Sequence, residues 1–339
     1  MSAQFHTNTL WLDVRSPSEF AKGHIPGAIN LPLFSDKERE IVGTIYARQG
    51  KDRAVRRGLT FVGPRMAQMV EQVDALQEEN NGVPSTIQVY CARGGMRSSS
   101  VAWLLRTAGM EVSVLPGGFR AYKHSLVTLT ASVERLIVLR GETGSGKTDL
   151  LHQLKEMGEQ VVDLEELAEH KGSAFGKVNA VPQPTNEMLY CLLIETLAGM
   201  DPTRPIYVEG ESKRIGRCEI PDVFFAKMRS AEIVTVHSTL NDRTRRIHQD
   251  YGSTPPEHLL SAFEHIADSM GLETALHAER AVREGDLESA ILLALRYYDK
   301  LYAKSGNRLF LGDEIGEVEH PLGRTQDTAA TIIRLTSGL

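Results

Sequence analysis

Residues 141–148 read GETGSGKT, directly after the apolar run RLIVLR and directly before DLLHQLKEMG, an amphipathic stretch. Strand, glycine-rich turn and helix in that order mark the start of a parallel α/β unit whose backbone N–H groups converge on an anion. Gly141, Gly144, Ser145 and Gly146 shape the turn. Lys147 can neutralise a bound diphosphate, and the Thr148 hydroxyl can bind Mg²⁺. Such a loop recognises a diphosphate without specifying what is attached to it.

A magnesium-dependent site of this kind usually takes a second ligand from a neighbouring strand end. The best candidate is PIYVEGES, with Glu209 closing the apolar run and Glu211 following; Asp163 in QVVDLE is the other option. Lys213, Arg214 and Arg217 continue the same loop, where α/β domains hold their ligands, so Glu209, Glu211, Lys213 and Arg214 are possible Mg²⁺ or substrate contacts.

The N-terminal part repeats the α/β alternation with different punctuation. TLWLDV, TIQVYC and EVSVLPGG read as strands, SPSEFAKG as a Ser-capped helix with proline at its first position, and PRMAQMVEQVDALQEE as a helix by its apolar period. Beyond residue 240 the pattern is mostly helical and charged. The expected architecture is α/β: an N-terminal parallel α/β domain over 1–125, a phosphate-loop α/β domain over 126–240, and a helical extension of that domain over 241–339. A chain of 339 residues is long enough for two such cores.

Within the first domain, YCARGGMRSS places Cys91 between a strand and a helix, among inward-pointing backbone N–H groups. Arg93 and Arg97 add positive charge, and Gly94 and Gly95 let the backbone curl, so a lowered thiol pKa is expected. The cradle suits a sulfur that attacks an anion or carries a persulfide. Three widely spaced cysteines, 91, 191 and 218, fit neither a disulfide framework nor a zinc site.

A net charge of −6 gives no global attraction to nucleic acid, so an RNA partner must use local patches such as Lys51, Arg53, Arg56 and Arg57, or Arg243, Arg245 and Arg246. Tyr297, Tyr298 and Tyr302 could stack on an extruded base, with core packing favoured. Met188, Leu189, Leu192 and Leu193 could line an apolar channel, again with core packing favoured. No run of 18 apolar residues and no basic-then-apolar start appears, so no membrane span and a cytoplasmic location are expected.

The segments WLDVRSPSEFAKGHIPGAINLPL, VYCARGGMRSSSVAWLLRTAG and VLPGGFRAY together resemble a rhodanese domain over about residues 5–125. The resemblance implies that Cys91 carries sulfur or selenium, and that Asp13, Arg15 and His24 shape the domain. Cys91 and Arg97 stand in a C-x5-R spacing, one residue longer than in common single-domain sulfurtransferases and similar to phosphatases built on the same fold.

With GETGSGKT, LAEHKGSAFG, QPTNEMLY and VEGESKRIG added, the chain resembles the bacterial tRNA 2-selenouridine synthase family over nearly its full length. That resemblance implies exchange of sulfur for selenium at C2 of the wobble 2-thiouridine of tRNA, with selenophosphate as donor. It also implies an S-geranyl intermediate made from geranyl diphosphate, and a selenophosphate-supplying enzyme as a partner. The alternatives are a rhodanese-type sulfurtransferase coupled to nucleotide hydrolysis, and a C-x5-R phosphatase.

Overall fold

The computed structural model describes residues 9–79, 86–170 and 182–337. They divide into two compact units: unit 1 takes the chain up to Thr128 together with Thr185–Gly199, and unit 2 takes Leu129–Pro184 together with Met200–Leu339. Lys171 to Gly176 of the LAEHKGSAFG segment lie outside the described residues.

Unit 1 runs β1 (Thr9–Asp13), α1 (Pro17–Lys22), β2 (Ile29–Asn30), α2 (Asp36–Gln49), α3 (Lys51–Val62), α4 (Met66–Glu79), β3 (Thr86–Tyr90), α5 (Met96–Thr107), β4 (Val112–Val114) and α6 (Gly118–Ser132). The sheet is wholly parallel, in the order β2-β1-β3-β4. Its central strands are apolar on both faces because helices cover both, and Leu12, Val14, Ile87 and Val89 are fully enclosed with Val101 and Leu105 of α5. Ser16 caps α1 in a reciprocal box with Glu19, and Pro17 opens the helix, as its sequence requires.

Unit 2 opens with β5 (Leu136–Arg140), α7 (Lys147–Glu156), β6 (Gln160–Val162) and α8 (Leu164–Leu167). The chain then returns to unit 1 for α9 (Asn186–Ala198) and comes back for β7 (Ile206–Glu209), the hairpin β8 (Arg214–Ile215) and β9 (Cys218–Glu219), α10 (Asp222–Arg229) and β10 (Glu232–His237). Four helices follow, α11 (Leu240–Tyr251), α12 (Pro256–Met270), α13 (Leu272–Glu284) and α14 (Leu287–Leu309), and then β11 (Glu314–Glu319) and α15 (Thr325–Ser337). The five parallel strands stand in the order β11-β10-β5-β7-β6.

Two placements differ from the expected domain boundaries. Helix α9, expected in the phosphate-loop domain, packs with unit 1: it buries Leu189, Cys191, Leu193, Ile194 and Leu197, while the Tyr122 hydroxyl donates to Glu195 Oε1 at 2.7 Å and Lys123 pairs with Glu187 at 2.5 Å. Leu189 and Leu193 are therefore core residues, with Met188 and Leu192 half-buried beside them, and the apolar-channel reading of this helix gives way to packing.

The C-terminal stretch is helical through α14 and then rejoins the sheet. β11 pairs with β10 and α15 packs over α7, with Val318 and Ile332 in the unit 2 core. An edge strand reading EIGEVE buries only Val318, so no apolar run announces it. Tyr297 packs against the core of α12–α14, and burial raises the Tyr302 hydroxyl pKa.

Candidate functional site

Cys91 leaves the end of β3 and faces the first turn of α5. Its Sγ lies 3.3 Å from the Ser98 hydroxyl, which also lies 3.0 Å from the Gly95 carbonyl, so its single proton turns from the carbonyl to the sulfur when the thiolate forms. Burial pushes the thiol pKa up, but the Ser98 hydroxyl and the backbone amides around Arg93, Ser98 and Gly95 stabilise the thiolate and bring it below the ordinary value. Gly94 sits at φ +62°, where a side chain would strike the backbone of Leu115 and Gly117, so the loop closes only with glycine there.

The expected source of the shift is corrected. Arg97 donates to both carboxylate oxygens of Glu19, at 2.7 and 3.4 Å, and neither its charge nor that of Arg93 is among the leading causes of the Cys91 shift. Arg15 is bound to Asp13 at 2.6 Å and to the Gly23 carbonyl at 2.7 Å, with its guanidinium 3.8 Å over the Phe119 ring. His24 stacks on Phe20 at 3.8 Å. The Arg15 contacts tie the end of β1 to the turn at Gly23 and to α6.

Two cavities meet at the cysteine loop. One, of about 300 Å³, is lined by Arg15, Lys22, Arg93, Arg120 and Lys123 together with Glu19 and Glu187; the other, of about 960 Å³, is mostly apolar and includes Cys91 in its lining.

In unit 2 the phosphate loop stands as expected between β5 and α7. Gly146 sits at φ +83°, where a Cβ would lie 2.8 Å from the His320 ring. Lys147 Nζ donates to the carbonyls of Gly141 at 3.0 Å and Glu142 at 3.3 Å, and Ser145 Oγ is buried without a hydrogen-bond partner. Glu209, at the end of β7, accepts from the Thr148 hydroxyl at 3.0 Å and lies 3.5 Å from Lys147 Nζ. Glu209 thus stands beside both Lys147 and Thr148 at the end of the strand next to β5. Asp163 instead caps α8 and pairs with His152 at 3.1 Å.

Glu165, which sequence reasoning missed, joins Glu209 and Glu211, with their oxygens within 4.8 Å of one another. Burial, then the Glu209 charge, raises Glu165 to about 9 and Glu211 to about 7. An all-oxygen donor set beside the Thr148 hydroxyl fits Mg²⁺, and the orphaned Ser145 hydroxyl fits an anion in the loop.

Lys213 is paired with Glu219 at 3.0 Å and Asp222 at 2.5 Å, and Arg214 is exposed on the β8–β9 hairpin. Lys213 is thereby committed to its own hairpin and to α10. Arg217 donates to Gln183. Cys218 is buried, with its pKa raised, and burial pushes Cys191 to about 12, so both are poor nucleophiles.

The basic run DRTRRIH is not a surface patch. Arg243 is buried against the phosphate loop, donating to the Thr143 carbonyl at 2.8 Å and Glu142 at 2.7 Å and pairing with Asp299 at 2.5 Å. Arg246 is buried too, donating to the His320 carbonyl at 2.7 Å. Only Arg245 of the three is exposed, whereas Lys51, Arg53, Arg56 and Arg57 are all exposed on α3.

Comparison with known proteins agrees with both halves. A rhodanese-like domain family matches residues 2–125, and the tRNA 2-selenouridine synthase AAA domain family matches residues 134–279. Proteins named tRNA 2-selenouridine synthase are similar over most of the chain. The one from Bordetella petrii is 35% identical, with 89% of each chain covered. That from Pseudomonas syringae is 32% identical over 92% of this chain and 94% of its own, and that from Nitrosomonas europaea is 35% identical over 76% of this chain and 67% of its own. With relatives matched nearly end to end and both domain families matched in order, the chain belongs to the tRNA 2-selenouridine synthase family.

Proposed function

We propose that this transferase replaces sulfur by selenium at C2 of the wobble 2-thiouridine of tRNA in two steps, each using one of its two anion-handling centres. The observation that carries the reading is the pairing of a thiolate-stabilising loop at Cys91 with a phosphate loop whose Lys147 and Thr148 share Glu209. Among the described residues no helix is long and apolar enough to cross a membrane. A cytoplasmic location goes with a tRNA substrate.

In the first step the 2-thiouridine sulfur attacks C1 of geranyl diphosphate. The C1–O bond breaks with its electron pair leaving on the diphosphate, and N3 loses a proton as the thiocarbonyl becomes a thioether. Lys147 and the loop amides stabilise the departing diphosphate. Mg²⁺, held by Thr148 and Glu209 with Glu165 or Glu211, would supply further charge neutralisation there.

In the second step selenium of selenophosphate attacks C2, the C2–S bond breaks, and geranyl thiolate departs and is protonated. Water then takes the phosphoryl group, and the proton returns to N3. Alkylation matters because a thiocarbonyl sulfur is a poor leaving group and a thiolate is a better one. Cys91 and its loop serve this step, and the cationic cavity of Arg15, Lys22, Arg93, Arg120 and Lys123 suits the phosphate of the donor. A selenophosphate-supplying enzyme is the partner this step requires.

Nucleoside mass spectrometry after incubation with geranyl diphosphate and then selenophosphate tests the assignment. Cys91→Ala should accumulate geranylated tRNA, and Lys147→Ala should slow its formation by about a hundredfold or more. Equal loss of both steps in each variant would overturn the division of labour.

A further inference from the structure

The larger cavity at the cysteine loop has no role in the reading above. It is a groove of about 960 Å³ between α2, α3 and α5, at the upper end of small-molecule sites, and its lining includes Cys91. Among the described residues, Tyr46, Val55, Leu59, Met96 and Trp103 are large apolar side chains left 54%, 38%, 63%, 45% and 60% exposed, and all five line this one groove. Five such side chains converging on a concave surface mark a binding site rather than scattered surface apolarity.

We propose that this groove holds the prenyl chain of S-geranyl-2-thiouridine while C2 is presented to the Cys91 loop. The proposal rests on the two-step reading and adds to it the place where the intermediate is gripped. The chain hangs from the sulfur on C2, the atom at which selenium arrives, so it must lie in a wall adjoining Cys91. Two cavities adjoin that loop, sharing Glu19, Ala92 and Arg93. The smaller is lined by five Lys and Arg side chains against Glu19 and Glu187 and suits an anion; the larger is mostly apolar, with its charges, Glu19, Arg39, Arg93 and Arg97, set among aliphatic and aromatic side chains, and suits a hydrocarbon. Charge complementarity thus separates the two substrates of the selenium step across one loop. The same grip distinguishes the alkylated uridine from 2-thiouridine, so selenium chemistry waits for the alkylated base.

Trp103 reports on the groove directly, because the other tryptophan, Trp11, is buried in the sheet. The full-length protein is titrated with an anticodon stem-loop carrying S-geranyl-2-thiouridine, with the 2-thiouridine stem-loop, and with geranyl diphosphate alone. A blue shift of emission is expected with the geranylated stem-loop, absent with the 2-thiouridine stem-loop and absent in Trp103→Phe. Leu59→Ser and Val55→Ser, neutral changes at exposed helix positions, should each weaken geranylated stem-loop binding by about tenfold and leave 2-thiouridine binding and the rate of geranylation unchanged.

Geranyl diphosphate shifting Trp103 at lower concentration than the geranylated stem-loop would give the groove to the prenyl donor and overturn the proposal. Normal consumption of the geranylated stem-loop with Trp103 and both Ser variants unresponsive would overturn the groove alone. Failure of the wild-type protein to form or consume that stem-loop would overturn the two-step reading, and the proposal with it.

Discussion

Cys91 could be picked out from YCARGGMRSS, but what tunes it could not. Arginines are conspicuous in a sequence, whereas Ser98 is one serine of three in a row, and only the first turn of α5 brings its hydroxyl 3.3 Å from the sulfur. Removing that contact should let burial dominate. In Ser98→Ala the midpoint of the pH dependence of Cys91 alkylation by iodoacetamide should move upward. Each unit of that shift cuts labelling below the midpoint about tenfold. The sign follows from the thiolate being the reactive form: its fraction at neutral pH falls as the pKa rises. Cys191, at about 12, and Cys218, also raised, should stay unlabelled in the native protein. An unmoved midpoint would return the cause to Arg93 and Arg97.

At the scale of elements, the strand, phosphate loop and α7 were legible because turn chemistry and hydrophobic period agree over residues 135–156. The support behind the loop was not. Arg243 on α11 reaches both the loop and Asp299 on α14, which are 100 and 56 residues apart from it in the chain, so spacing carries no trace of the contact. A run of three arginines reads as a solvated or nucleic-acid-facing patch until burial shows two of them turned inward. Arg243→Met should loosen the loop and raise KM for geranyl diphosphate by about tenfold, with stability falling by about 1–3 kcal/mol. Turnover of an already geranylated stem-loop should be unaffected, and Arg243→Lys should restore part of the loss. Equal effects on both substrates would mean that Arg243 serves only the fold.

At the scale of the molecule, the chain enters unit 2 at residue 129, returns to unit 1 for 185–199 and leaves it again. Helix α9 covers Tyr122 and carries the partners of Tyr122 and Lys123. A polypeptide of residues 1–128 should therefore unfold at a lower temperature than the same residues joined to 185–199 through a Gly/Ser linker. Equal thermal midpoints would show that α9 contributes nothing to unit 1. The apolar content of NEMLYCLLIETLA announces burial but not against which core, since a helix hydrophobic on most sides fits either.

The same division runs through the whole protein. Composition, period and turn chemistry by themselves determined two α/β units, a glycine-rich loop at residues 141–148 between a strand and a helix, and a glycine-rich turn after Cys91, because these depend on residues close together in the chain. Tertiary structure alone decided the home of α9, the return of β11 to the sheet, the grouping of Glu165 with Glu209 and Glu211, and the apolar groove beside Cys91. Those features join residues from distant segments, and which distant segments meet is set by packing of the folded core rather than by local pattern.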